Sequence, residues 1–283
     1  MTSYESYYAV ADPTRAKLLA DTTSPFGIEV RFLGGLTEQQ RAAFTAAADR
    51  WARMIVGDLP SVTADGETID DVLILAQGSA IDGPGGVLGQ AGPTILRPAS
   101  AGAAALLPAK GVMSFDTADL EQMQADGTLG DVITHEMGHV LGIGTIWQNK
   151  GLLQGASGNN PTFSGPGAMA EYAALLDVDA PRPVPVENTG GVGTRGGHWR
   201  ETVFRNELMS GFIDGLGNPI SRITVAGLGD LGYQVDVDAA EPYALPDLLS
   251  VAESGDLISH SAPVGRGVML SMIPFVLPDD ALV

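Results

Sequence analysis

The chain has 283 residues, 45% of them hydrophobic, enough to build the core of one large domain or of two lobes about a cleft. Thirty-four acidic residues against 15 basic ones give a formal net charge of −19, which argues against a nucleic-acid partner, since a phosphate backbone is gripped by clustered Lys and Arg. The absence of cysteine excludes disulfides, a thiolate nucleophile and cysteine zinc sites, and leaves the compartment open.

Residues 1–25 read as polar and irregular. Met1 to Asp12 lacks a basic region followed by an apolar core, so no ordinary signal peptide is expected, and no apolar run reaches membrane-spanning length. Gly27 to Leu33 alternates apolar and polar positions, the pattern of a half-buried strand. Thr37 with Gln40 three residues on resembles a capping box, and Glu38 to Val56 then carries Phe44, Ala47, Trp51 and Ile55 at helical spacing. Asp71 to Ala76 is a short apolar strand. The glycine- and proline-rich segment Ala80 to Pro98 contains Gly86 to Gln90, extended enough for an edge strand that could pair with a substrate main chain, although a surface loop fits equally well. Gly111 to Asp116 is another strand, followed by a turn or short helix over Thr117 to Met123.

The chemistry enters at Gly130 to Gly142. His135, Glu136 and His139 form H-E-x-x-H, which on a helix sets both imidazoles on one face, where they can grip one Zn²⁺. Glu136 then stands beside the open metal position, suited to take a proton from water and pass it to a leaving amine. Such a pentapeptide also arises by chance, but Val132, Ile133, Val140 and Leu141 give the segment the apolar face of a buried helix. Gly142 can end that helix in a left-handed conformation. A compact metzincin would carry its third histidine three residues later, where this chain has Thr145.

The third ligand must come from elsewhere. His198 follows a glycine-rich loop, Gly190 to Gly197, that could let it approach a metal closely, whereas His260 sits in a polar stretch and reads as a solvated tail residue. Glu171, on the amphipathic piece Gly167 to Leu176, competes as the glutamate ligand of a different class of zinc peptidase. Glu187, ahead of the glycine loop, reads more readily as an exposed acid than as a brace.

Taken together, His135-Glu136-Met137-Gly138-His139-Val140-Leu141-Gly142, Gly197-His198-Trp199, Asn206-Glu207-Leu208-Met209-Ser210-Gly211 and a Leu-Gly-Tyr ending over Ile223 to Tyr233 resemble the leishmanolysin-like metallopeptidases, metzincins with a long insertion before the third zinc histidine. The resemblance covers about Gly130 to Val235. It implies a zinc endopeptidase with His135, His139 and His198 as ligands, Glu136 as general base and Met209 in the turn beneath the metal, supporting the histidines by packing. Parasite leishmanolysins are disulfide-rich and keep a cysteine for latency, devices a cysteine-free chain cannot use. Gly211 stands where some other metzincins carry a tyrosine, so that transition-state donor is not supplied there.

The fold expected is therefore α+β and metzincin-like, with a mixed N-terminal sheet, two long helices including the active-site helix, and an irregular C-terminal lobe. Its parts are an N-terminal extension (1–26), an N-terminal catalytic lobe (27–142), a C-terminal catalytic lobe with the insertion (143–237) and a tail (238–283). The tail holds the apolar Val268 to Val276 and closes on Asp279-Asp280-Ala281-Leu282-Val283, an ending like the export signal of bacterial type I substrates and equally like a packed strand with a frayed end. One catalytic Zn²⁺ and a protein or peptide substrate are expected. Structural calcium is not indicated, since G-G-x-G-x-D repeats are absent. The expected location is extracellular, by a route without a classical signal peptide, with the cytoplasm left open. The rival reading is a non-catalytic adhesin or binding module that kept a metalloprotease frame, against which an intact Glu136 argues.

Overall fold

In the computed structural model, residues 4–81, 83, 85, 89–191, 194–213, 217–247 and 273–283 are described. The chain opens with strand β1 (Glu5–Val10), helix α1 (Pro13–Ala20) and strand β2 (Gly27–Gly34). Residues 5–20 are thus ordered elements and not the irregular segment their polarity suggested. β1 pairs antiparallel with β2 along its whole length, and α1 starts on Asp12, whose carboxylate caps the Thr14 and Arg15 amides, with Pro13 pre-set for a first helical turn. In β2, Ile28, Val30 and Phe32 point into the core while Glu29 and Arg31 face outward.

Helix α2 (Glu38–Ala52) starts from a complete capping box between Thr37 and Gln40 and buries Phe44, Ala47 and Trp51. It ends at Ala52, shorter than its apolar periodicity extends, because Ile55 leaves the helical path to bridge Val235. A hairpin of β3 (Val62–Ala64) and β4 (Glu67–Ile69) precedes β5 (Val72–Ser79), β6 (Gly89–Leu96) and β7 (Pro108–Asp116). Helices α3 (Thr117–Asp126) and α4 (Leu129–Val140) follow directly.

The C-terminal half carries three two-residue strands, β8 (Leu153–Gln154), β9 (Thr162–Phe163) and β10 (Val184–Pro185), with α5 (Pro166–Leu175), α6 (Glu201–Phe204) and α7 (Arg222–Leu231) among them. Strand β11 (Phe275–Val276) returns to the main sheet. His260, residues 268–272 of the apolar tail segment and residues 86–88 of the expected edge strand lie outside the described residues.

The main sheet has six strands in the order β1-β2-β5-β7-β6-β11. β2, β5 and β7 run parallel, and β6 runs antiparallel to β7. A central parallel strand is buried on both faces and so reads as continuously apolar, as β5 does. Its Val72, Ile74 and Ala76 enter the large core under the helices, while Leu73 packs on the opposite face with Val62, Ile69, Leu277 and Ala281 of the β3–β4 hairpin and the C-terminus. α2 and α4 lie against each other on the first face, and α4 also packs on β6 and β7. That arrangement carries the histidine helix across the sheet with α4 buried from Val132 onward.

Candidate metal centre

Every residue of α4 from Val132 to Val140 is buried, because the sheet, α2 and the C-terminal half enclose it on all sides. His135 and His139, four apart, therefore share one face in the interior. The helix ends in a left-handed turn at Gly142 (φ +110°), where the Gly142 N–H reaches His139 O (3.1 Å) and the Ile143 N–H reaches Gly138 O (3.0 Å). A side chain at Gly142 would also strike Ile146 Cδ1 at 2.8 Å. The turn delivers the Ile143 carbonyl to His139, whose Nδ1–H donates to it at 2.8 Å.

His198 arrives 59 residues after His139 and meets both helical histidines. The three Nε2 atoms lie 3.0–3.1 Å apart. Each ring donates its Nδ1–H to a main-chain carbonyl: His135 to Leu208 O (2.6 Å), His139 to Ile143 O and His198 to Thr194 O (2.9 Å). A carbonyl only accepts, so the ring proton sits on Nδ1 in each case and all three Nε2 lone pairs face one another. Burial pushes the imidazolium form of His135 down to about 3 and lowers His139 and His198 as well, so the rings are neutral. Three neutral acceptors converging without a donor among them call for a cation. Nitrogens at this spacing can all reach one ion at a zinc–nitrogen distance of about 2.0–2.1 Å, so the donor set fits Zn²⁺.

Glu136 is buried beside them, and its Oε2 has no hydrogen-bond partner. Desolvation pushes its carboxyl up to about 8. Met209 packs against the helix at Gly138, where a Cβ would stand 2.7 Å from its Sδ and 2.9 Å from Cζ2 of Trp51. Trp51 in turn donates its indole N–H to Thr134 O at 2.9 Å, fixing α2 to the histidine helix.

Thr145 lies near but holds its hydroxyl on His139 O, and Glu171 is engaged by Arg222 on the surface at 2.8 Å. The structure thus brings together His135, Glu136, His139, His198, Gly142 and Met209, and leaves Glu171 apart. Sequence reasoning gave no role to Glu207, which is fully buried and accepts from the Met209 N–H (2.6 Å), the Ser221 N–H and hydroxyl, and the Thr224 hydroxyl. It also misread Glu187, which is 1% exposed because its carboxylate is occupied by main-chain donors. A glutamate between proline-rich and glycine-rich stretches gives no sequence signal for either role.

Among the described residues no helix is long and apolar enough to cross a membrane. The family model for leishmanolysin peptidases matches residues 102–251, which include all three histidines and Met209. A leishmanolysin homolog of Crithidia fasciculata is 32% identical over 133 residues, 44% of this chain and 20% of the relative. Leishmanolysin of Leishmania major is 29% identical over 142 residues, 47% of this chain and 23% of the relative. The chain thus spans a segment equal to about a fifth of the length of these relatives, and the match, covering more than half of its own residues, lies over the histidine helix, the third histidine and the methionine turn. On that match, the chain belongs to the leishmanolysin family.

Proposed function

We propose that the chain is a zinc-dependent endopeptidase of metzincin type, with His135, His139 and His198 as the metal ligands, Glu136 as general base and Met209 as the packing support of the ligand helix. The observation that carries the reading is the convergence of three Nε2 lone pairs, each ring held in that tautomer by a carbonyl. Zinc in such a site supplies Lewis acidity, polarising a carbonyl and lowering the pKa of a water towards about 7.

The chain's own residues do the rest. The three carbonyls hold the rings oriented, so no reorganisation is required when charge develops. A cation on the three histidines would favour the ionised form of Glu136 against the burial that raises its carboxyl, and in that form its unpartnered oxygen accepts the proton of the attacking water and returns it to the departing amine. The outer side of β6 from Gly89 to Gly92 is bordered by no strand among the described residues, since β11 covers only Ile95 and Leu96. That free edge suits an extended peptide main chain, which would lie beside α4.

The test is metal analysis together with digestion of a peptide library, with and without chelator. One zinc per chain and chelator-sensitive cleavage are expected; full zinc occupancy with no cleavage of any substrate would favour a binding module. Glu136→Gln should keep the metal and slow hydrolysis by about 10²–10⁴-fold. His198→Ala should weaken zinc binding by orders of magnitude, leaving only the two helical histidines to hold it, and Glu171→Ala should leave binding unchanged; the opposite result would reassign the third ligand.

A further inference from the structure

The third histidine is separated from the other two by a long insertion, and nothing on α4 holds it. We infer that Glu187 is the positioning residue of His198: its carboxylate and main chain together fix the segment that aims the ring at the other two histidines. The inference rests on the proposed zinc site.

Glu187 bonds to the chain before His198, to the His198 carbonyl and to the chain after it. The Glu187 N–H donates to His198 O at 2.9 Å, and Glu187 O accepts from the Gly196 N–H at 3.0 Å, so the main chains on the two sides of the glycine loop are zipped together at its base. The carboxylate secures the loop's start: Oε1 accepts from the Asn188 N–H (2.9 Å), the Thr189 N–H (2.8 Å) and the Thr189 hydroxyl (2.6 Å). Oε2 reaches past the histidine to the Glu201 N–H at 2.9 Å, at the start of α6. The residue between these anchors that matters is Thr194, whose carbonyl orients the His198 ring. Thr194 and the Glu187 carboxylate pack under Gly211, where a Cβ would stand 3.6 Å from each.

A buried carboxylate loses its hydration and is tolerated only when donors replace it, and here four do so. Three of those donors lie at the start of the glycine loop that leads to the ligand, and the fourth lies three residues beyond it.

The experiment is a double-mutant cycle read by zinc affinity, measured by chelator competition on the full chain, with circular dichroism and a thermal melt of the metal-free protein as the fold control. Glu187→Gln should weaken zinc binding by about 10-fold and Glu187→Ala by up to about 100-fold. In a His198→Ala background, Glu187→Gln should change the remaining affinity by less than about twofold. The visible spectrum of the cobalt-substituted protein should shift in Glu187→Gln towards that of His198→Ala. Equal losses in both backgrounds, or none in either, would overturn the inference.

Should both Glu187 variants fail to fold, Thr189→Val decides the question, because it removes only the hydroxyl donor of an exposed residue. An affinity loss of about two- to fivefold that requires His198 supports the inference, and unchanged affinity refutes it. Failure of the unsubstituted chain to bind zinc would strike the metal site itself and the inference with it.

Discussion

Within H-E-x-x-H the two free positions are not equivalent. Met137 is buried like its neighbours, but Gly138 is the point where the Met209 turn and α2 close on the histidine helix, with Met209 Sδ and Trp51 Cζ2 within 2.7 and 2.9 Å of where a Cβ would be. Alanine in a helix interior is normally worth about 1 kcal/mol over glycine. Here the added methyl must displace a packed thioether and an indole that is pinned by its bond to Thr134 O. Overpacking of this kind costs about 1–3 kcal/mol. Gly138→Ala should therefore lower the melting temperature of the metal-free protein in spite of the helix propensity, and weaken zinc binding because His135 and His139 flank the displaced turn. A raised melting temperature would show that the contact yields more readily than its geometry implies.

At the scale of elements, the site is made by backbone as much as by side chains. The carbonyls of Ile143, Thr194 and Leu208 each come from the end of a different segment: the turn after α4, the glycine loop, and the methionine turn. Glu207 binds the last of these to α7 through the Met209 N–H and the Ser221 and Thr224 donors, and Thr224 receives the Trp199 indole at 2.7 Å, one residue from the third histidine. Replacing Glu207 by Ala leaves these buried donors unpaired, at about 1–3 kcal/mol each if they find no water. The expected result is a fall in melting temperature by well over 5 °C, accompanied by weaker zinc binding through His135. Unchanged zinc affinity in a folded Glu207→Ala protein would separate the methionine turn from the ligand set. This also explains what the sequence could disclose. A 3.6-residue period announces that His135 and His139 share a face, and the alternation of β2 announces a strand. Main-chain carbonyls have no residue signature, so the groups that set the tautomers were illegible. His198 could be singled out only by elimination among four histidines, by the glycine loop ahead of it and by resemblance, since no local periodicity relates residues 59 apart. β1 was missed because an edge strand with one solvated face carries Glu5, Ser6 and exposed Tyr8, which read as loop.

At the scale of the whole molecule, two arginines of the N-terminal part hold the segment that follows α7. Arg50 on α2 grips Glu241 with both Nε and Nη2 (2.7 and 2.6 Å), and its Nη1 reaches Asp131 at the start of α4 (3.1 Å). Arg15 on α1 binds Asp236 at 2.5 Å. Burial raises the Glu241 carboxyl, but the Arg50 bonds and charge together with the Ile220 N–H outweigh it, and the Arg15 bond leads for Asp236, so both carboxyls are held below their ordinary range. A carboxyl with a depressed folded-state value binds fewer protons in the folded than in the unfolded chain, so stability rises with pH through the window between the two. The contribution of these pairs is complete above the ordinary values of 3.8 and 4.5 and is lost as pH falls through the lower folded values. Arg50→Ala should cost about 3 kcal/mol at pH 7, since it removes the cation between two partly buried carboxylates and leaves them only neutral donors, and should flatten the acid limb of stability against pH below about 4.5. Arg15→Ala should have the smaller effect because its side chain is more exposed, at 38% against 18% for Arg50. Urea midpoints measured from pH 3 to 7 decide it: an acid limb as steep in Arg50→Ala as in the parent would mean that other carboxylates set the acid stability of the fold.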